Sequence, residues 1–174
     1  MTITPMKNYI LSSVRFTAAL AAAFLAFEAS AQTAVKRGDR DFVEKAAKAG
    51  MEEVDVSRIA AERSTNGEVK SFAQMLVSDH TAANQKLTSI ATSKSVKLPA
   101  EDMGAAGKWS KKDAKGFDKD YIDKMVSDHK DAVDLFQKEA DKGTDPELQS
   151  FARDTLPKLQ HHLEMAMDLQ KTVK

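Results

Sequence analysis

The chain contains no cysteine. That excludes disulfides, thiolate metal sites and thiol nucleophiles together, and leaves His, carboxylates, Met and hydroxyls to do any chemistry. An excess of charge of one sign is missing too, since 26 basic residues face 26 acidic ones, which removes any broad argument for nucleic-acid binding, where a basic face would be needed. No glycine-rich phosphate loop, strand-turn-helix nucleophile elbow, H-E-x-x-H or aromatic-interleaved basic patch is present, which leaves hydrolase, nucleotide-binding and nucleic-acid functions without support. No hydrophobic run is long enough to span a bilayer: Phe16 to Phe27, apolar except for Thr17, is 12 residues, where a spanning helix needs about 20. What remains is a globular composition, 42% hydrophobic and 30% charged over 174 residues, the size of one ordinary domain.

The first 31 residues are predicted to lie outside the fold. Lys7 and Arg15 are the only charges ahead of the apolar run, and Ala29-Ser30-Ala31 supplies the small residues a signal peptidase accepts. The expectation is a cleaved signal peptide over 1–31, then a flexible segment over 32–38. Removing Lys7, Arg15 and Glu28 leaves 24 basic and 25 acidic groups. With no lipid-attachment cysteine after the signal, the product is expected to be exported, soluble and periplasmic.

Internal repetition is the most informative feature of the rest. Asp39-Arg40-Asp41-Phe42-Val43-Glu44-Lys45 aligns with Asp118-Lys119-Asp120-Tyr121-Ile122-Asp123-Lys124, and the same register aligns Thr65 to Ala73 with Thr144 to Ala152. Positions 39–73 and 118–152 share 11 identities in 35 ungapped positions. Matching turn and cap residues in one register predict a tandem duplication of a helical hairpin, over 39–93 and 117–172. Thr65 and Thr144 each precede a Glu by three residues, the spacing of a capping box, and Pro146 suits a first helical turn. Helices are thus expected to begin near 66 and 145. Between the hairpins, 94–116 holds Pro99, Gly104, Gly107 and Gly116 and reads as a connector. Within it, Trp109 either caps one end of the core or marks a short helix laid across it.

Spacings of three and four assign four buried seams. The first runs Phe42, Ala46, Ala49, Glu53, Val56, Ala60; the second Val69, Ala73, Leu76, His80, Ala83, Leu87, Ile90. The third holds Ile122, Met125, His129, Ala132, Phe136; the fourth Leu148, Ala152, Thr155, Leu159, His162, Ala166, Leu169. Each has one strongly polar residue of ligand type near mid-height. Buried ionisable groups are costly unless paired or coordinated. Glu53, His80, His129 and His162, facing inward from four helices, therefore make a candidate shell for one ion of iron, manganese, copper or zinc. Asp79 and Asp128 sit beside two of these seams in a repeated Val-Ser-Asp-His tetrapeptide, placed to hold an imidazole on an adjacent helix. The competing reading is structural, with the histidines satisfied by Asp–His pairs inside the core. His161 and Glu164 read as a solvated pair, and Met125 and Met165 as core filler with copper(I) ligation the minor alternative. Lys108, Lys111, Lys112 and Lys115 of the connector read as solvated, with anionic lipid or peptidoglycan the alternative.

The segments Phe72 to His80, Phe117 to Tyr121, Met125 to His129, and Asp154-Thr155-Leu156-Pro157 to His162-Leu163 resemble the exported bacterial family known as domain of unknown function 4142, over about residues 39–170. That family is similar to the ferritin-like superfamily, so the resemblance implies an all-α, ferritin-like four-helix bundle with a long crossover. It also implies a periplasmic or outer-membrane location, with Asp79, His80, Asp128, His129 and His162 as motif positions of no proven role. One departure is informative. Ferritin-like di-iron sites use Glu-x-x-His on two helices, whereas Val77, Val126, Lys158 and Leu159 stand three residues before the histidines here. The expectation is a non-enzymatic envelope protein that binds a transition metal. A metal-free structural or stress-response protein with an envelope partner is the alternative, and a metal-dependent oxidoreductase ranks last.

Overall fold

A computed structural model describes residues 34–100, 102 and 104–173. The expected signal peptide lies outside the described residues. Among them there are five helices and no strand: α1 (Arg37–Arg63), α2 (Gly67–Ser93), α3 (Gly104–Ser110), α4 (Phe117–Lys142) and α5 (Pro146–Thr172). None of these helices is long and apolar enough to cross a membrane. The four long ones, at 26 or 27 residues, are each about 40 Å long at 1.5 Å per residue.

Local chemistry sets the turns. Asn66 caps α2 by accepting from the amides of Glu68 and Val69, and Asp145 caps α5 by accepting from those of Glu147 and Leu148. The expected Thr caps are thus displaced by one residue. Asn and Asp put a strong planar acceptor in reach of the first free amides, which releases the threonines for other bonds. Thr144 donates through its backbone N–H (2.9 Å) and its hydroxyl (2.6 Å) to the Asp39 carboxylate, tying the start of α1 to the α4–α5 turn. Thr65 donates to Asp118 (3.4 Å), which also accepts from the Asn66 amide (3.3 Å). Gly116, at φ 77°, makes the left-handed step into α4 that an L side chain resists.

The connector carries α3, and the two readings of Trp109 are both present: it lies in this short helix and meets Phe117 and Tyr121 edge-on, with ring centroids 5.6 and 6.1 Å away. Arg63 holds the helix in place. Its guanidinium donates to the carbonyls of Trp109 (2.6 Å), Ser110 (2.9 Å) and Lys112, and lies 4.7 Å from the Phe117 ring centre. Lys112 pairs with Asp120 at 2.8 Å, and Lys108, Lys111 and Lys115 are exposed.

Within each hairpin, α1 packs on α2 and α4 on α5; across the hairpins, α1 meets α4 and α2 meets α5. The Asp39–Thr144 and Thr65–Asp118 links make α1 and α4 antiparallel. Lys94, at the end of α2, binds Asp145 at the start of α5 (2.8 Å), so this pair is antiparallel too. The helices thus run up, down, down, up, and the connector returns the chain along their length.

The interior has two apolar clusters. One contains Phe42, Leu87, Phe136, Leu148 and Phe151; the other contains Val56, Phe72, Leu76, Tyr121, Ile122 and Met125, with Met75 and Met165 against it. On every long helix the polar seam residue falls between the stretches that enter the two clusters. Ala49 departs from its expected core position and is exposed, because α1 turns Gly50 and Ala46 inward instead. The seams also carry polar groups the pattern did not single out: Asp39, Ser57 and Glu139 are buried.

A buried three-histidine centre

Between the apolar clusters lie His80 of α2, His129 of α4 and His162 of α5. Their ring centroids are 5.4 to 5.5 Å apart, and one nitrogen from each lies within 4.8 Å of the others. His129 and His162 are each 1% exposed, and His80 is half-buried.

The hydrogen bonds decide which nitrogens remain free. His129 Nδ1 lies 2.9 Å from the Met125 carbonyl; a carbonyl only accepts, so Nδ1 carries the proton and Nε2 a lone pair. His162 Nε2 donates to Asp79 (3.0 Å), which leaves Nδ1 bare. His129 Nε2, His162 Nδ1 and His80 Nε2 are all buried without a hydrogen-bond partner. Burial pulls the His80 imidazole down to about 3, with the neighbouring His129 and His162 adding to the effect. Burial likewise lowers His129 to about 4 and depresses His162 against the opposing pull of Asp79. All three rings are therefore neutral at ordinary pH, the form in which imidazole binds a metal.

The surrounding carboxylates have distinct partners. Asp79 joins His162 to Lys158, whose ammonium lies 2.7 Å from it. Burial works against its charge, but the bonds from Lys158 and His162 outweigh burial and hold its carboxyl below the usual range. Asp128 binds Lys124 at 2.8 Å, and Lys124 also reaches Glu52 of α1 at 2.8 Å; Asp128 is thus engaged by a lysine rather than an imidazole. Glu53 lies outside the three-histidine group but lines the same cavity. It is 5% exposed, its Oε1 has no partner, and burial, aided by Asp128 and Glu52 and opposed by Lys124, raises it to about 8. His161 and Glu164 are exposed.

Sequence reasoning missed two buried polar pairs. Ser57, one turn beyond Glu53, shares a 2.8 Å hydrogen bond with Tyr121. Asp39 and Glu139 sit together near the α4–α5 turn, 3% and 5% exposed. Spacing already contained this second signal: Asp39 precedes Phe42 by three positions and Glu139 follows Phe136 by three, so both continue their seams.

Fold and site together define a helical-bundle protein with a buried cluster of three neutral imidazoles, chemically suited to a first-row transition metal. The chain belongs to the family of the domain of unknown function DUF4142, which matches residues 25–169. No curated protein matches it. Among solved structures it is similar to a DUF305 fragment from Deinococcus radiodurans, at 15% identity and TM-score 0.68 over 79% of this chain and 98% of that one. It is also similar to CopM in the Cu(I)-bound form, at 15% identity and TM-score 0.67 over 77% of this chain and 96% of that one. Likeness at such identity is one of fold.

Proposed function

We propose that this is an exported, non-enzymatic protein of the cell envelope that holds one transition-metal ion, copper before zinc, iron or manganese, in the middle of its bundle. His80, His129 and His162 are the ligands, Asp79 fixes the tautomer of His162, Asp128 anchors the Lys124 bridge, and Glu53 lines the same cavity. The observation that carries this reading is the convergence of three buried imidazole nitrogens, each without a partner, from three different helices, with the lone pair fixed on that nitrogen in His129 and His162. Native interiors satisfy nearly all their buried polar atoms, and here one ion satisfies three at once. A neutral all-nitrogen donor group suits copper or zinc better than the harder manganese, and the fold is shared with a protein solved with Cu(I). The missing Glu-x-x-His pairs argue against di-iron oxidation chemistry. Export rests on the signal-like segment before Gln32.

In this reading the scaffold is a ferritin-like four-helix bundle made by hairpin duplication. In support, α2 and α5 begin at 67 and 146 and end at 93 and 172, while α1 and α4 end at 63 and 142, all in the repeat register. A single long crossover between hairpins is the ferritin-like connection.

The test is elemental mass spectrometry on the purified, untagged protein after challenge with iron, manganese, copper and zinc. About one ion per chain should be retained by the wild type and lost from His80→Ala and His129→Ala. If no ion is retained and none raises the melting temperature, the imidazoles serve only the core, and the Asp79–His162 pair belongs to a structural protein with an envelope partner.

A further inference from the structure

The three free nitrogens and Glu53 line a cavity much larger than an ion needs. Its volume is about 420 Å3, within the range of small-molecule pockets, and all four long helices contribute to its walls. Small side chains create the space: Ala46, Gly50, Ala83 and Ala132 stand where larger residues would close it. On one side the wall is made by Leu87, Phe136, Phe151 and Leu159, all members of one apolar cluster. The rim is charged, but its charges are largely matched. Lys124 binds Glu52 and Asp128, and Lys158 binds Asp79. The others, Lys45 and Asp131, are exposed and opposite in sign.

A bare ion accounts for the three nitrogens. It leaves Glu53 Oε1 without a partner and the apolar wall facing empty space. We propose that this cavity is a binding pocket for a small neutral organic molecule carrying one nitrogen or sulfur donor. The donor takes the ion's open position, the polar edge of the head group hydrogen-bonds to Glu53, and the apolar body lies against Leu87, Phe136 and Phe151. The apolar body is uncharged because a charge lying against this wall would be desolvated, and Lys45 and Asp131, the lining charges outside the matched pairs, are exposed at the rim and opposite in sign. A soft or azole donor matches the same metals as the imidazoles. The inference rests on the metal reading given above.

Phenylimidazole and imidazole are suitable probes, since they share a donor and differ by one apolar ring. Each is titrated into the Cu(II)-loaded protein and followed by the copper absorption and electron paramagnetic resonance spectra, with metal content measured on the same samples. Phenylimidazole should bind at least tenfold more tightly than imidazole. Filling the cavity with Ala132→Phe, or with the milder Ala83→Leu should the first fail to fold, should abolish that preference while the copper stays bound. Retained copper with equal binding of the two probes, or a preference that survives cavity filling, overturns the pocket and leaves the metal site standing. Absence of retained copper overturns the metal reading, and the pocket proposal with it.

Discussion

Glu53 and Glu139 are buried to the same 5% exposure, and each has one oxygen without a partner. Their surroundings differ. Glu53 lies at mid-height beside a cavity and three bare imidazole nitrogens, so several unsatisfied groups converge on one space. Glu139 lies near the α4–α5 turn beside Asp39, whose carboxylate is already occupied by two bonds from Thr144. Gly143 packs directly over it, where a Cβ would come within 2.5 Å of Oε1. A buried acid alone therefore does not mark a binding site. Convergent unpaired nitrogens around a roomy cavity do; Glu139, an acid paired with Asp39 beside a cleft of only about 130 Å3, is an element of the fold.

The largest effect that should separate the two regions comes from their glycines. Gly143→Ala brings a Cβ against Glu139 Oε1 and, at 2.6 Å, its backbone carbonyl. The carbonyl is fixed by the helix, so a loss of about 2 kcal/mol is expected in urea unfolding. Gly50→Ala at the cavity meets only the end of the Asn84 side chain, which swings aside, and the helix interior gains from alanine. Its net change should stay within about 1 kcal/mol. Equal losses at the two sites would remove the distinction.

A somewhat smaller effect is expected from pH. Burial raises Glu139 to about 7 from 4.5, with Asp39 and Asp145 adding to the shift and Lys138 opposing it. The folded state thus keeps a proton that the unfolded chain has lost between those values. The group's contribution to stability is greatest below pH 4.5 and is lost as pH rises to about 7. Glu139→Gln should flatten that slope and add about 1 kcal/mol at pH 8, allowing for screening near the surface. An unchanged slope across unfolding curves from pH 4 to 8 would count against this account.

The smallest contrast concerns the two caps. Asn66→Ala should cost about 1 kcal/mol. Asp145→Ala should cost a few tenths more, because Asp145 also pairs with Lys94 at 2.8 Å. Thermal unfolding of the two variants side by side gives the comparison.

Periodicity made much of this legible. The three- and four-residue spacings put Phe42, Leu76, Met125 and Leu159 inside, and they placed the three histidines at a common height. They did not place Ala49, because at the edge of a seam an alanine costs little on either side of the boundary. Capping shifted by one residue because Thr-x-x-Glu and Asn/Asp caps overlap in both turns, and the better acceptor takes the amides. The fate of each carboxylate was not legible either. Asp79 reaches an imidazole and Asp128 a lysine from identical tetrapeptides, since the choice depends on the facing helix: Lys158 and His162 of α5 in one case, Lys124 of α4 itself and Glu52 of α1 in the other.

The cluster gathers its three nitrogens from α2, α4 and α5, positions far apart along the chain. An ion bound there would therefore act as a covalent-like staple. It would fasten the first hairpin to the second, and close the long loops from 80 to 129 and from 129 to 162. Closing loops of that length restricts the unfolded chain, as a disulfide does. In a sequence without a single cysteine, this cross-link would form or release with the supply of metal rather than by thiol–disulfide exchange.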